Sequence, residues 1–114
     1  MSAKITTHVL DVARGKPAAG VAVTLAVWDH QTWRELGNGT TDEDGRCPTL
    51  LPDGAPLPAG TYRIAFATGA YHAEQGVAGF YPEVTVTFTV RDAEAHHHVP
   101  LLLSPFGYST YRGS

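Results

Sequence analysis

Apolar and polar residues alternate with a period of two along most of the chain, in short runs rich in Val, Ile, Thr and aromatics. Clusters of Gly, Pro and Asp separate the runs, which is the pattern of β-strands joined by tight connections. Lys4 to Leu10 reads as a first strand, with Ile5, Thr7 and Val9 on one face and Lys4, Thr6, His8 and Leu10 on the other. "RGKPAAG" (Arg14 to Gly20) is a turn region, because Gly15 and Gly20 permit positive φ and Pro17 lacks a ladder donor. Val21 to Trp28 forms a second, mostly apolar strand. Gln31 to Thr41 forms a third, interrupted at Gly37-Asn38-Gly39, and "DEDG" (Asp42 to Gly45) is a turn leading into Arg46. Pro52 to Gly60 is a loop by composition, and Thr61 to Thr68 returns to strand. "GAYHAEQG" (Gly69 to Gly76) holds good helix formers between two glycines and predicts about two turns of helix. "PEVTVTFTV" alternates without a fault, placing Val84, Val86, Phe88 and Val90 inward and Thr85, Thr87 and Thr89 outward. His97 to Leu103 and Tyr108 to Arg112 complete the set, joined by "SPFG". About seven or eight strands and one short helix predict a mainly all-β fold, a sandwich of two antiparallel sheets.

Composition narrows this picture without changing it. The 114 residues fit one domain spanning 1–114, large enough to stand without a metal or disulfide staple. A formal net charge of -3 argues against nucleic acid as a partner. No apolar run reaches the length that spans a bilayer by a helix, so no membrane partner is expected. Cys47 is the only cysteine, and Met1 is followed by Ser-Ala-Lys-Ile-Thr-Thr rather than by an apolar leader, which makes cytoplasm the expected location.

The candidate chemistry lies in histidines and arginines. His8 points away from the face that Ile5 and Val9 bury. On the second-last strand His96 and His98 share one face, while His97 lies with Val99, Leu101 and Leu103 on the other. Two uses compete. A pair at i and i+2 on a strand suits zinc chelation, with His8 as a third ligand. The alternative is acid–base work: a neutral imidazole beside a guanidinium has a lowered pKa and is free to accept a proton from water. Arg46 and Arg112 are candidates for that neighbour, and a planar guanidinium suits a planar substrate with carbonyl and amide edges. The acidic "DEDG" stretch lacks the ligand spacing and distal Glu of a calcium loop, so it is read as a turn.

Two stretches, "HVLDVARGKPAAGVAV" (His8 to Val23) and "HHVPLLLSPFGYS" (His97 to Ser109), resemble the signature segments of the transthyretin family, and the likeness extends over essentially the whole chain. Of the family's two branches, hormone carriers and 5-hydroxyisourate hydrolases, the sequence resembles the hydrolases. The carrier has lysine in place of His8, an acidic residue near the place of Arg46, threonine in place of His98, and an apolar ending in place of Tyr111-Arg112-Gly113-Ser114. The resemblance implies ring opening of 5-hydroxyisourate without a metal or organic cofactor. It assigns catalysis to His8, Arg46 and His98, and substrate binding to Tyr111, Arg112 and Ser114. It further implies a homotetramer, a dimer of dimers with its sites between the dimers. A non-catalytic carrier of small aromatic ligands is the rival within the same fold. His97 stands where the family usually has tyrosine, and a packing or hydrogen-bonding substitution is expected there.

Overall fold

The computed structural model describes residues 5–52 and 54–114. Lys4, where the first strand is expected to begin, lies outside them, as does Asp53 within the loop. Among the described residues the chain runs through β1 (Ile5–Asp11), β2 (Lys16–Pro17), β3 (Ala22–Asp29), β4 (Thr32–Thr40), β5 (Gly60–Phe66), α1 (Thr68–Glu74), β6 (Val84–Val90), β7 (His97–Ser104) and β8 (Gly107–Thr110). They form two four-stranded sheets, ordered β2-β1-β7-β8 and β4-β3-β5-β6.

Alternation decides what each sheet buries. Ile5 and Val9 of β1 and Leu101 and Leu103 of β7 meet Val23, Leu25, Ile64 and Phe66 of the second sheet in one core. Leu50, Leu51 and Leu57, from the long connection before β5, close one side of it. Thr7 and Asp11 continue the inward face of β1, and each finds polar partners, as buried polar groups must. Thr7 donates to the Val99 carbonyl (2.6 Å), while the Asp11 carboxylate accepts from the Arg14 main-chain N–H (3.0 Å) and the Tyr71 hydroxyl (2.6 Å). That hydroxyl burial and the Asp11 bond push the Tyr71 phenol above its ordinary value.

Three local outcomes differ from the sequence pattern. First, β1 and β7 pair in parallel, from Ile5↔His97 to Asp11↔Leu103, whereas the other strand pairs are antiparallel. A parallel pair needs a long crossover, and the whole second sheet supplies it. Second, β8 ends at Thr110 rather than Arg112. Its ladder reaches Leu101↔Thr110, and the next position on β7 is Pro100, which has no N–H to give. Pairing resumes two residues beyond Pro100, at the bridge between His98 and Gly113. Third, β4 runs unbroken through Gly37-Asn38-Gly39, with a bulge opposite Leu25/Ala26.

Those glycines let the segment from Cys47 to Pro52 lie against β4. A Cβ at Gly37 would collide with the Leu50 carbonyl oxygen, and one at Gly39 would come within 2.7 Å of the Cys47 Sγ. Gly37→Ala should therefore cost about 1–3 kcal/mol of stability, the usual penalty for overpacking, read as a lowered midpoint with unchanged slope in urea unfolding.

The helix forms where the pattern predicts it. It starts one residue and ends two residues before the expected Gly69 to Gly76, and Gly76, with φ +70°, follows just past Gln75. His97 is buried at 5% exposure, on the face of Val99 and Leu101 as its alternation demands. Its Nδ1 has no hydrogen-bond partner among the described residues.

Candidate active site

The parallel register sets Thr6 beside His98 and leaves His8 two residues further along the same outward face of β1. His96 and His98 project from that face of the neighbouring segment with their rings stacked, centroids 6.3 Å apart. Between them stands the Thr6 hydroxyl, 2.9 Å from His96 Nε2 and 2.8 Å from His98 Nδ1. Sequence reasoning placed Thr6 on the face of His8 but gave it no part in the site. Only the pairing of β1 with β7, which the sequence does not print, brings it between two imidazoles.

Arg46 arrives from a loop. It forms an isolated antiparallel bridge with His8, and the Val9 N–H donates to the Gly45 carbonyl (2.8 Å). The "DEDG" turn makes this possible. Asp42 Oδ1 accepts from the Asp44 and Arg46 main-chain N–H groups (2.9 and 3.1 Å), and the Asp42 N–H donates to the Arg46 carbonyl (2.8 Å). Gly45 sits at φ +79°, and a Cβ there would strike the Val9 carbonyl oxygen, so glycine alone fits. The acidic turn is thus a mount for an arginine.

The closing tetrapeptide is mounted in the same way. The Gly113 N–H donates to the His98 carbonyl (2.8 Å), and the Gly113 backbone lies so close to the imidazole that a Cβ would come within 2.5 Å of His98 Cδ2. Arg112 Nη2 reaches the His96 carbonyl at 3.4 Å. Ser114 follows, exposed, immediately beyond the bridge to His98. Tyr111 does not join this group. It is 59% exposed and lines, with Arg112, a separate cleft of about 250 Å³ beside β6 and His97. One chain therefore brings His8, Arg46 and His98 together and sets Arg112 at the margin, while the Tyr111 side chain faces elsewhere.

Electrostatics favour a neutral His98. Its pKa lies below the ordinary histidine value because of burial first, then the Arg46 guanidinium, then His96 and His8, against a weaker opposing pull from a hydrogen bond to the Thr6 main chain. An uncharged imidazole beside a fixed cation is a base with an adjacent anion-stabilising group. The three-histidine metal arrangement fares less well. Among the described residues no three His, Cys, Asp or Glu side chains converge closely enough to hold a metal ion.

The chain is similar to known proteins over nearly its whole length. The 5-hydroxyisourate hydrolase of Mus musculus is 48% identical over 115 residues, covering 99% of this chain and 97% of the mouse one. The structure of Klebsiella pneumoniae 5-hydroxyisourate hydrolase superposes with a TM-score of 0.83 at 38% identity, over 96% of this chain and 92% of that one. Sea bream transthyretin in complex with thyroxine has a TM-score of 0.90 at 32% identity, over 97% and 95%. The model of the HIUase/Transthyretin family matches residues 5–113, and the chain belongs to that family.

Proposed function

We propose that this protein hydrolyses 5-hydroxyisourate to 2-oxo-4-hydroxy-4-carboxy-5-ureidoimidazoline, a step of urate degradation, with a histidine rather than a metal activating the water. One observation carries the reading: His8 and His98 lie on the same outward face of paired strands with Arg46 bridged to His8, where burial and the Arg46 guanidinium lower the His98 pKa. Nearly full-length likeness to proteins named as 5-hydroxyisourate hydrolases supports it.

Water bound between the two imidazoles gives a proton to His98 as its oxygen attacks the ring carbonyl carbon. Electrons of the C=O move onto oxygen, and the Arg46 guanidinium stabilises the oxyanion. Collapse restores the carbonyl and breaks the acyl C–N bond, and the proton held by histidine passes to the leaving nitrogen. One water is consumed and no group is left on the protein. His8 is the second anchor of the water, and Arg112 and Ser114 hold the far edge of the substrate. Tyr111, turned away within one chain, lines the pocket through assembly of a homotetramer built as a dimer of dimers. Two features support assembly: β6 and β8 are open sheet edges, and Phe80 and Phe106 are 69% and 73% exposed.

The test is the ultraviolet absorbance of 5-hydroxyisourate generated in place from urate by urate oxidase. Decay should quicken in proportion to added protein. Decay at the spontaneous rate, with saturable binding of an aromatic ligand instead, would favour the carrier reading. A second expectation concerns Gly113. Because a Cβ there would push against the His98 ring, Gly113→Ala should lower kcat by up to about 100-fold, the scale of loss for a misplaced catalytic group, with thermal unfolding little changed.

A further inference from the structure

Between Thr41 and Arg46 each hydrogen bond has one direction, because a main-chain N–H only donates and a carbonyl or carboxylate oxygen only accepts. The root of the turn is tied down first. Thr41 is buried, and its hydroxyl donates to the Ala18 carbonyl (2.7 Å) and accepts from the Val21 N–H (2.9 Å), which stitches it to the segment before β3. From that root Asp42 Oδ1 reaches over the turn and accepts from the N–H groups of Asp44 and Arg46 together (2.9 and 3.1 Å). The Gly45 N–H closes on the Asp42 carbonyl beneath it (2.9 Å). Arg46 is itself exposed, so little packing around its side chain fixes the guanidinium, and its place depends on the main chain that carries it. That main chain is held from two sides: by the bridge to His8 and by the Asp42 carboxylate.

We infer that Asp42 is a positioning residue: by accepting from the Arg46 N–H through Oδ1 it holds the arginine in the register that bridges His8, and it acts on the reaction only through Arg46, a consequence that rests on the hydrolase reading. Its structural content, an acceptor that orders the Arg46 main chain, stands apart from that reading. The acceptor oxygen, not the negative charge, is the feature that matters. Asparagine keeps the oxygen without the charge, and alanine loses both. Glu43→Ala removes a negative charge from the same turn and leaves both Asp42 bonds in place. Asp42 and Glu43 are exposed, so all three variants should fold.

The experiment pairs steady-state kinetics with amide hydrogen exchange on the full chain. Asp42→Ala should lower kcat for 5-hydroxyisourate about 10- to 100-fold, the scale of loss when a catalytic group is displaced by about an ångström, with KM little changed. Asp42→Asn and Glu43→Ala should keep the wild-type rate. In an Arg46→Ala background Asp42→Ala should cause no further loss, whereas a residue that only stabilised the fold would lower activity equally in both backgrounds. The Asp44 and Arg46 amides should be protected in the wild type and in Asp42→Asn, and should exchange faster in Asp42→Ala. Unchanged exchange at Arg46 in Asp42→Ala would overturn the inference, and so would an Asn variant as impaired as the Ala one, or an undiminished loss in the Arg46→Ala background. A wild type that leaves 5-hydroxyisourate to decay at its spontaneous rate, with the amide pattern as expected, would sink the hydrolase reading and leave the ordering of Arg46 by Asp42 intact.

Discussion

His98→Asn should lower kcat/KM for 5-hydroxyisourate by about 10²- to 10⁴-fold, the range that a positioned general base supplies. Asparagine keeps a polar side chain of similar reach, so the packing against Gly113 and the neighbourhood of Thr6 are largely retained. What it lacks is a nitrogen that takes a proton near neutral pH. The loss should fall on kcat rather than KM, because the base acts on the water and not on substrate affinity. Stopped-flow absorbance on pulses of freshly made substrate separates the two. A His98→Asn protein within a few-fold of wild type would transfer the base's role to His8.

Arg46→Ala should cost about 10²- to 10³-fold in kcat, as when a single oxyanion donor is removed. It should also move the acid limb of the rate profile, and the sign follows from the electrostatics. Arg46 is among the causes that hold the His98 pKa below its ordinary value, second to burial. In the wild type the neutral base therefore persists below pH 6.5 and is lost only as pH falls through the lowered pKa. Without the guanidinium that pKa rises, and the activity remaining in Arg46→Ala should start to fall at a higher pH than in the wild type. Arg46→Lys keeps the charge and should retain the wild-type limb while losing part of the rate, since an ammonium lacks the planar fork. Measuring kcat/KM from pH 5 to 8 for the three proteins checks both effects. An acid limb that does not move in Arg46→Ala would mean that the base on that limb lies beyond the field of Arg46.

Much of the fold is legible in the sequence because alternation and burial are the same fact seen twice. "ITTHVLD" separates into a buried and a more open face as a period of two requires, "HHVPLLLS" does so except at Pro100, which is buried out of turn, and the split fates of His96, His97 and His98 follow the same period. What alternation cannot supply is which strands are neighbours. The parallel register of β1 with β7 is a long-range choice made by the core, and it alone brings Thr6 between the imidazoles. The early end of β8 is a matter of partner chemistry. Tyr108 to Arg112 reads as a strand by itself, but the missing N–H of Pro100 stops the ladder beyond Thr110. The "DEDG" turn is readable as a turn, yet that it delivers Arg46 to His8 depends on the carbonyl of Gly45 finding Val9 across space. Tyr111 and Arg112 both line the cleft beside β6, and of the two only Arg112 also reaches back to the His96 carbonyl, a contact that adjacency in sequence does not foretell.

The decisive measurement is the rate of 5-hydroxyisourate decay with the wild-type protein in chelator-treated buffer, with the metal content of the same sample determined. We expect acceleration proportional to protein at far less than one metal ion per chain, unchanged by added zinc. Decay at the spontaneous rate, or acceleration that returns only when zinc is restored, would contradict a histidine-activated water at His8, Arg46 and His98.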